Sequence, residues 1–168
     1  MAAVAILVAD GFETIECLTI LDILRRGGVR ASLVSINDTR DVISAQQVSI
    51  TCDEVFSDVD FDVYDYVVLP GGMPGTTHLR RDERVCDVVR EFAATKHVAA
   101  ICAAPSILAE LGLLEGRRAT CFPGFDIDFP ANIITASAMG QALPFALTVL
   151  EDIAGERALE KVCEGIQL

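Results

Sequence analysis

Residues 4–36 read VAILVADGFETIECLTILDILRRGGVRASLVSI, and this stretch decides the fold. Val4–Ala9 is a continuous apolar run of strand length. Thr14–Arg26 then repeats its apolar residues at helical spacing, Gly27-Gly28 closes it, and Arg30–Ile36 is a second strand. An apolar strand, a crossover helix and another strand make a βαβ unit, which calls for a parallel sheet covered on both faces.

Downstream the alternation continues. Residues 41–60 read as short strands and turns, Tyr66–Leu69 as a buried strand entering the turn Pro70-Gly71-Gly72, and Asp82–Thr95 as a helix. Val98–Ile101 is the next strand and Ala104–Leu111 the next helix, followed by strands at Ala119–Phe122 and Ile133–Ala136. Helices over Gln141–Ile153 and Glu156–Cys163 complete the chain, with Pro144 tolerated in a first turn. No repeat, low-complexity tract or linker divides the 168 residues, so the expectation is one doubly wound α/β domain over 1–168.

The composition, 52% hydrophobic and 23% charged, is that of an ordinary globule. A net charge of −12 leaves no basic surface for phosphates or anionic headgroups, so neither nucleic acid nor membrane is expected as a partner; a small or neutral ligand is. The N-terminal apolar run stops at Asp10 without a basic n-region, too early for a signal peptide, which points to the cytosol. The uncharged stretch Ala131–Leu150 reads as a strand and a helix, since Asn132, Thr135, Ser137, Gly140, Gln141 and Pro144 interrupt it. Six scattered cysteines without a CxxC pair or ligand-spaced histidines argue against a zinc site and for reduced thiols; no metal or organic cofactor is expected.

In open α/β sheets ligands bind beyond the carboxyl ends of the strands, which directs attention to Asp10–Glu16, Pro70–Thr77, Cys102–Ser106 and Ser137–Gln141. Cys102 follows a strand and precedes a helix, the setting of a nucleophile elbow. There the positive end of the helix is expected to lower the thiol pKa. At about 100° per residue, Glu16 falls on the same arc as Cys17, Ile20, Leu21, Ile23 and Leu24, so a carboxylate sits in the apolar face of its helix. Burial raises its pKa toward the range of a proton donor at neutral pH.

Leu69-Pro-Gly-Gly-Met-Pro-Gly75 brings backbone close to a ligand, and the Gly72 and Ala103 amides form a candidate oxyanion hole with Gly71 beside them. Neither GxGxxG nor GxxxxGK[ST] is present, so the turn is not a nucleotide loop of either kind. His97 begins the strand that ends before Cys102, about 15 Å away at strand rise, and is excluded as a base. His78 lies on the correct side, near a short helix, and is a possible partner; the other five cysteines lack an elbow and are expected as filler.

Together, Ala9-Asp-Gly-Phe-Glu-Thr-Ile-Glu16, Leu69-Pro-Gly-Gly72 and Ala99-Ala-Ile-Cys-Ala-Ala-Pro105 resemble the ThiJ/PfpI superfamily, in the branch of the Parkinson-disease-associated protein deglycase. The resemblance implies a flavodoxin-like fold, a homodimer, the reactive cysteine at Cys102, its hydrogen-bonding glutamate at Glu16, and the oxyanion amides at Gly72 and Ala103. Three departures accompany it. Ala103 stands where the protease-like branch has histidine, and Phe122 where many deglycase-branch members have one. The chain also passes from Phe129-Pro130 straight to Ala131, where family members usually carry a further strand and turn.

The resemblance implies an enzyme acting on reactive dicarbonyls such as methylglyoxal, with Cys102 attacking the aldehyde and Glu16 moving the proton. The alternative is a redox sensor or stress-protective chaperone that uses oxidation of Cys102. A cysteine peptidase or amidotransferase is disfavoured by the shortage of placed histidines.

Overall fold

The structure, a computed structural model, describes residues 2–116, 119–122 and 132–168. Its centre is a six-stranded sheet in the order β5-β2-β1-β6-β7-β8. The strands are β1 (Ala3–Val8), β2 (Arg30–Ser35), β5 (Glu54–Val55), β6 (Tyr66–Leu69), β7 (His97–Ile101) and β8 (Ile133–Ala136), and every pairing is parallel. A small antiparallel pair, β3 (Asp41–Ile43) and β4 (Ser49–Thr51), lies outside the sheet. This is the flavodoxin-like, doubly wound α/β domain expected from the sequence.

Strand residues alternate between two cores. Val4, Ile6 and Val8 of β1 join one cluster with Ile20 and Leu24 of α1 (Thr14–Arg26) and Phe145 and Val149 of α5 (Ala142–Ala154). Ala3, Ala5 and Leu7 face the other, with Leu79 of α2 (Gly75–Arg81), Val85, Val89 and Phe92 of α3 (Glu83–Thr95), and Ile107 and Leu108 of α4 (Pro105–Glu110). A strand buried on both faces must be apolar at every position, which is why the period-2 signal of a half-exposed strand is missing. The last helix, α6 (Glu156–Ile166), packs behind α5. Among the described residues no helix is long and apolar enough to cross a membrane; the 131–150 stretch contains β8 and the start of α5.

The chain leaves β1 toward β2 on one side and returns through β6 on the other, so strand order reverses between β1 and β6. The loops after these strands meet. Gly75 N–H donates to Gly11 O (3.1 Å), and Glu13 N–H donates to Gly71 O (2.9 Å).

One expected strand is corrected. Residues 119–122 form no strand: β7 is already paired with β6 and β8, and the segment does not add to the outer edge of β8. Instead the segment crosses the strand ends. Thr120 N–H donates to the Thr135 hydroxyl (3.0 Å) and Phe122 N–H to the Cys102 carbonyl (2.7 Å). The shortened stretch around Phe129-Pro130 lies outside the described residues.

Candidate active site

Cys102 is the first residue after β7, and its backbone is left-handed, with φ 62°. For a residue with a Cβ this conformation costs about 1–2 kcal/mol, so the surrounding structure must hold it. Two backbone bonds do so: Cys102 N–H donates to Ala136 O at the end of β8 (2.8 Å), and its own carbonyl receives Phe122 N–H. The sharp turn leaves the side chain half-buried at the carboxyl end of the sheet, as the elbow reading expects.

Glu16 reaches the same place from α1. Glu13 caps that helix, its carboxylate accepting Glu16 N–H at 2.7 Å, while the apolar neighbours Cys17, Ile20, Ile23 and Leu24 turn inward. Glu16 shares their face and is completely buried. Its Oε2 accepts the Gly71 N–H at 2.8 Å, and its carboxyl is hydrogen-bonded to the Cys102 thiol. Removal from water dominates the acidity of this group and outweighs both hydrogen bonds, raising it from 4.5 to about 7. At neutral pH the carboxyl is therefore poised between its two protonation states.

Gly71 fits this junction because it has no side chain. A Cβ there would lie 2.7 Å from both Cys102 Cβ and Glu16 Oε2. Gly72 has φ 94°, and a Cβ on it would overlap the Glu13 amide nitrogen. With the backbone free to approach, the N–H groups of Ala103 and Gly72 both reach the Cys102 sulfur. Two donors thus converge where negative charge on sulfur, or on an oxygen attached to carbon bound there, would develop.

The expected low thiol pKa is overturned. Burial, then the charge of Glu16, then the hydrogen bond to Glu16 push the thiol up to about 12, and the Ala103 and Gly72 amides only partly offset them. The helix that follows is six residues long, and the carboxylate beside the sulfur outweighs its dipole. Once the carboxyl ionises, above about pH 7, thiol and carboxyl hold one proton between them, and the sulfur becomes nucleophilic as that proton moves to Glu16.

His78 does not join this group. It lies on the exposed side of α2 with Nδ1 2.9 Å from the Asp10 carbonyl oxygen. His97, at the start of β7, stacks on Tyr66 (4.9 Å) and faces Asp152 (3.3 Å) at the other end of the sheet. Among the described residues no three His, Cys, Asp or Glu side chains converge in a way that could hold a metal ion.

Three contributors escaped the sequence reading. Glu13 is an unusual helix cap, and no local preference marks it. The Phe122 amide and the Thr135 hydroxyl act through contacts between distant segments, which no local pattern signals.

A family model described as the DJ-1/PfpI family matches residues 2–152. Protein dj-1beta of Drosophila melanogaster is 30% identical, over 96% of this chain and 94% of its own. A Pyrococcus abyssi protein that carries the name deglycase is 35% identical over 74% of this chain and 75% of its own. The solved structure of oxidized Toxoplasma gondii DJ-1 superposes with a TM-score of 0.94 at 29% identity, covering 99% of this chain and 98% of that one.

Proposed function

The chain belongs to the DJ-1/PfpI family, and from that membership we propose that it is a cysteine-dependent enzyme of the glyoxalase and deglycase type, converting reactive dicarbonyls such as methylglyoxal to hydroxy acids. The observation that carries the reading is the buried Glu16 carboxyl, raised to about 7, hydrogen-bonded to a thiol in a left-handed elbow. A carboxyl so placed gives up and takes back a proton at neutral pH with little bias, as a reaction that moves hydrogen between adjacent carbons requires.

The steps use only these groups. As the Cys102 sulfur bonds to the aldehyde carbon, its proton passes to Glu16 and on to the carbonyl oxygen, which the Gly72 and Ala103 amides hold while it carries charge. Glu16 then removes the hydrogen from the carbon bearing sulfur and returns it to the neighbouring carbon, while the hydroxyl proton on the first carbon passes to the neighbouring carbonyl oxygen, leaving a thioester of the 2-hydroxy acid. Water cleaves the thioester, releasing the hydroxy acid and restoring the thiol. The net change is addition of one water to the dicarbonyl, with no external oxidant or reductant.

Hydroxy-acid production by wild type, Cys102→Ser and Glu16→Gln, each with the state of Cys102 verified by mass, tests the proposal. Multiple turnovers in wild type that vanish in both variants support it. A wild type with an unmodified thiol and no turnover overturns it, and sulfinate formation at Cys102 on peroxide treatment of that protein favours the sensor reading. We also propose a homodimer, since Ile15, Ile43, Val48 and Met73 are large apolar side chains left exposed. A cytosolic location suits six free thiols.

A further inference from the structure

All six cysteines are free, but they are not equivalent. Cys17, Cys52 and Cys86 are buried, and burial pushes each thiol up, Cys52 to about 12. Cys163 lies on α6, in the outer helical layer. The two remaining half-exposed thiols, Cys102 and Cys121, converge on one residue. Ala103 N–H reaches the Cys102 sulfur, and the Ala103 carbonyl receives the Cys121 thiol at 3.9 Å. Their backbones are also tied, since Phe122 N–H donates to the Cys102 carbonyl. One hydrogen bond between residues adjacent to, or part of, the two cysteines brings their Cα atoms toward the separation a disulfide spans.

The Cys121 contact is a weak tether. Ser106 donates both its N–H (3.1 Å) and its hydroxyl (2.7 Å) to the same Ala103 oxygen, so that oxygen loses little when the Cys121 thiol turns away.

We propose that Cys121 is the resolving thiol of Cys102, making this a site of reversible oxidation by hydroperoxides. The inference rests on the reading of Cys102 as the reactive thiol, but not on the dicarbonyl reaction. In the first step the Cys102 sulfur attacks a peroxide oxygen. The O–O bond breaks, Cys102 gains S–OH, and its former proton travels through Glu16 to the departing oxygen, which leaves as water or an alcohol. In the second step the Cys121 sulfur attacks the Cys102 sulfur. The S–S bond forms, the S–O bond breaks, and the hydroxide departs as water with the Cys121 proton. Peroxide is reduced, the two thiols are oxidised, and a small dithiol reverses the change.

The linkage is read by treating wild type and Cys121→Ser with hydrogen peroxide and following peptide masses without reduction. Wild type is expected to yield one linked peptide pair joining Cys102 and Cys121 within a chain, reversed by dithiothreitol. A neighbouring thiol has an effective concentration far above that of added peroxide, so sulfinate at Cys102 should form at least about tenfold faster in Cys121→Ser. Equal rates of sulfinate formation with no linked pair overturn the proposal, as do links from Cys102 to any other cysteine. The wild-type linkage is read without any variant, so a misfolded Cys121→Ser does not decide the matter. Methylglyoxal turnover of the untreated protein separates the two readings. The disulfide without turnover supports this proposal against the enzymatic one, whereas turnover without the disulfide does the reverse.

Discussion

Replacing Glu16 with glutamine should make the protein more stable in alkaline solution relative to wild type. The unfolded carboxyl titrates near 4.5 and the folded one near 7. The folded state thus holds the proton more tightly, and the stabilisation this gives is full below about pH 4.5 and lost as the pH rises through 7. With 1.36 kcal/mol per unit, wild type should lose about 2.5 kcal/mol from this group between pH 5 and pH 8. Glutamine has no proton to lose and can still accept the Gly71 N–H, so it should escape the loss. The Cys102 thiol, held near 12, does not titrate in this window, and the other ionisable groups are common to both proteins. Urea unfolding at constant protein concentration, with linear extrapolation at four pH values, gives the difference directly. A wild-type minus variant difference that stays flat from pH 5 to pH 8 would refute the reasoning, because a carboxyl raised to about 7 in the folded state cannot give such a profile.

Gly71→Ala should reduce dicarbonyl turnover at least about a hundredfold and cost about 1–3 kcal/mol, as added atoms in a packed site do; kcat/KM and a melting curve check both, and an active variant would show that the junction of Gly71, Cys102 and Glu16 yields easily. Thr135→Val leaves the buried Thr120 N–H without its acceptor and should cost about 1–3 kcal/mol. Faster hydrogen exchange at Phe122 in that variant would show that Thr135 anchors the segment crossing the strand ends. Gly27→Ala places a methyl group against Leu150, where α1 packs on α5. It should lower the unfolding free energy by about 1–3 kcal/mol while kcat/KM stays within twofold of wild type, because Leu150 lies at the end of α1 away from Glu16.

Much of this was legible because it is local. A strand that runs into Cys-Ala-Ala-Pro must turn sharply, and that places the elbow at Cys102 from the local sequence. The arc containing Glu16, Cys17, Ile20, Leu21, Ile23 and Leu24 follows from helix geometry, and all of these but the half-buried Leu21 are the residues buried in α1. What was not legible depends on segments distant in sequence. The thiol is less acidic than its helix predicts because the charge of Glu16 and removal from water both act on it, and neither strength follows from the residues around Cys102. Residues 119–122 are locally plausible strand, but their hydrogen bonds go to Thr135 and Cys102, contacts that depend on how distant segments meet. The meeting of the 11–13 and 71–75 loops likewise required β6 to return beside β1.

The left-handed backbone at Cys102 sets the fold and the chemistry against each other. Among the described residues two other non-glycine positions have positive φ, Gln47 in a turn and Gln167 at a helix end, where such geometry is commonplace. At position 102 the scaffold alone would favour glycine, by about 1–2 kcal/mol, so Cys102→Gly should outlast the natural protein on heating while losing all activity. Any procedure that ranks residues by how well they suit their backbone would mark this cysteine as a poor choice. That misfit makes a useful search criterion: a side chain strained at the exit of a parallel strand, facing a buried carboxyl, singles out a nucleophile in chains where no motif survives.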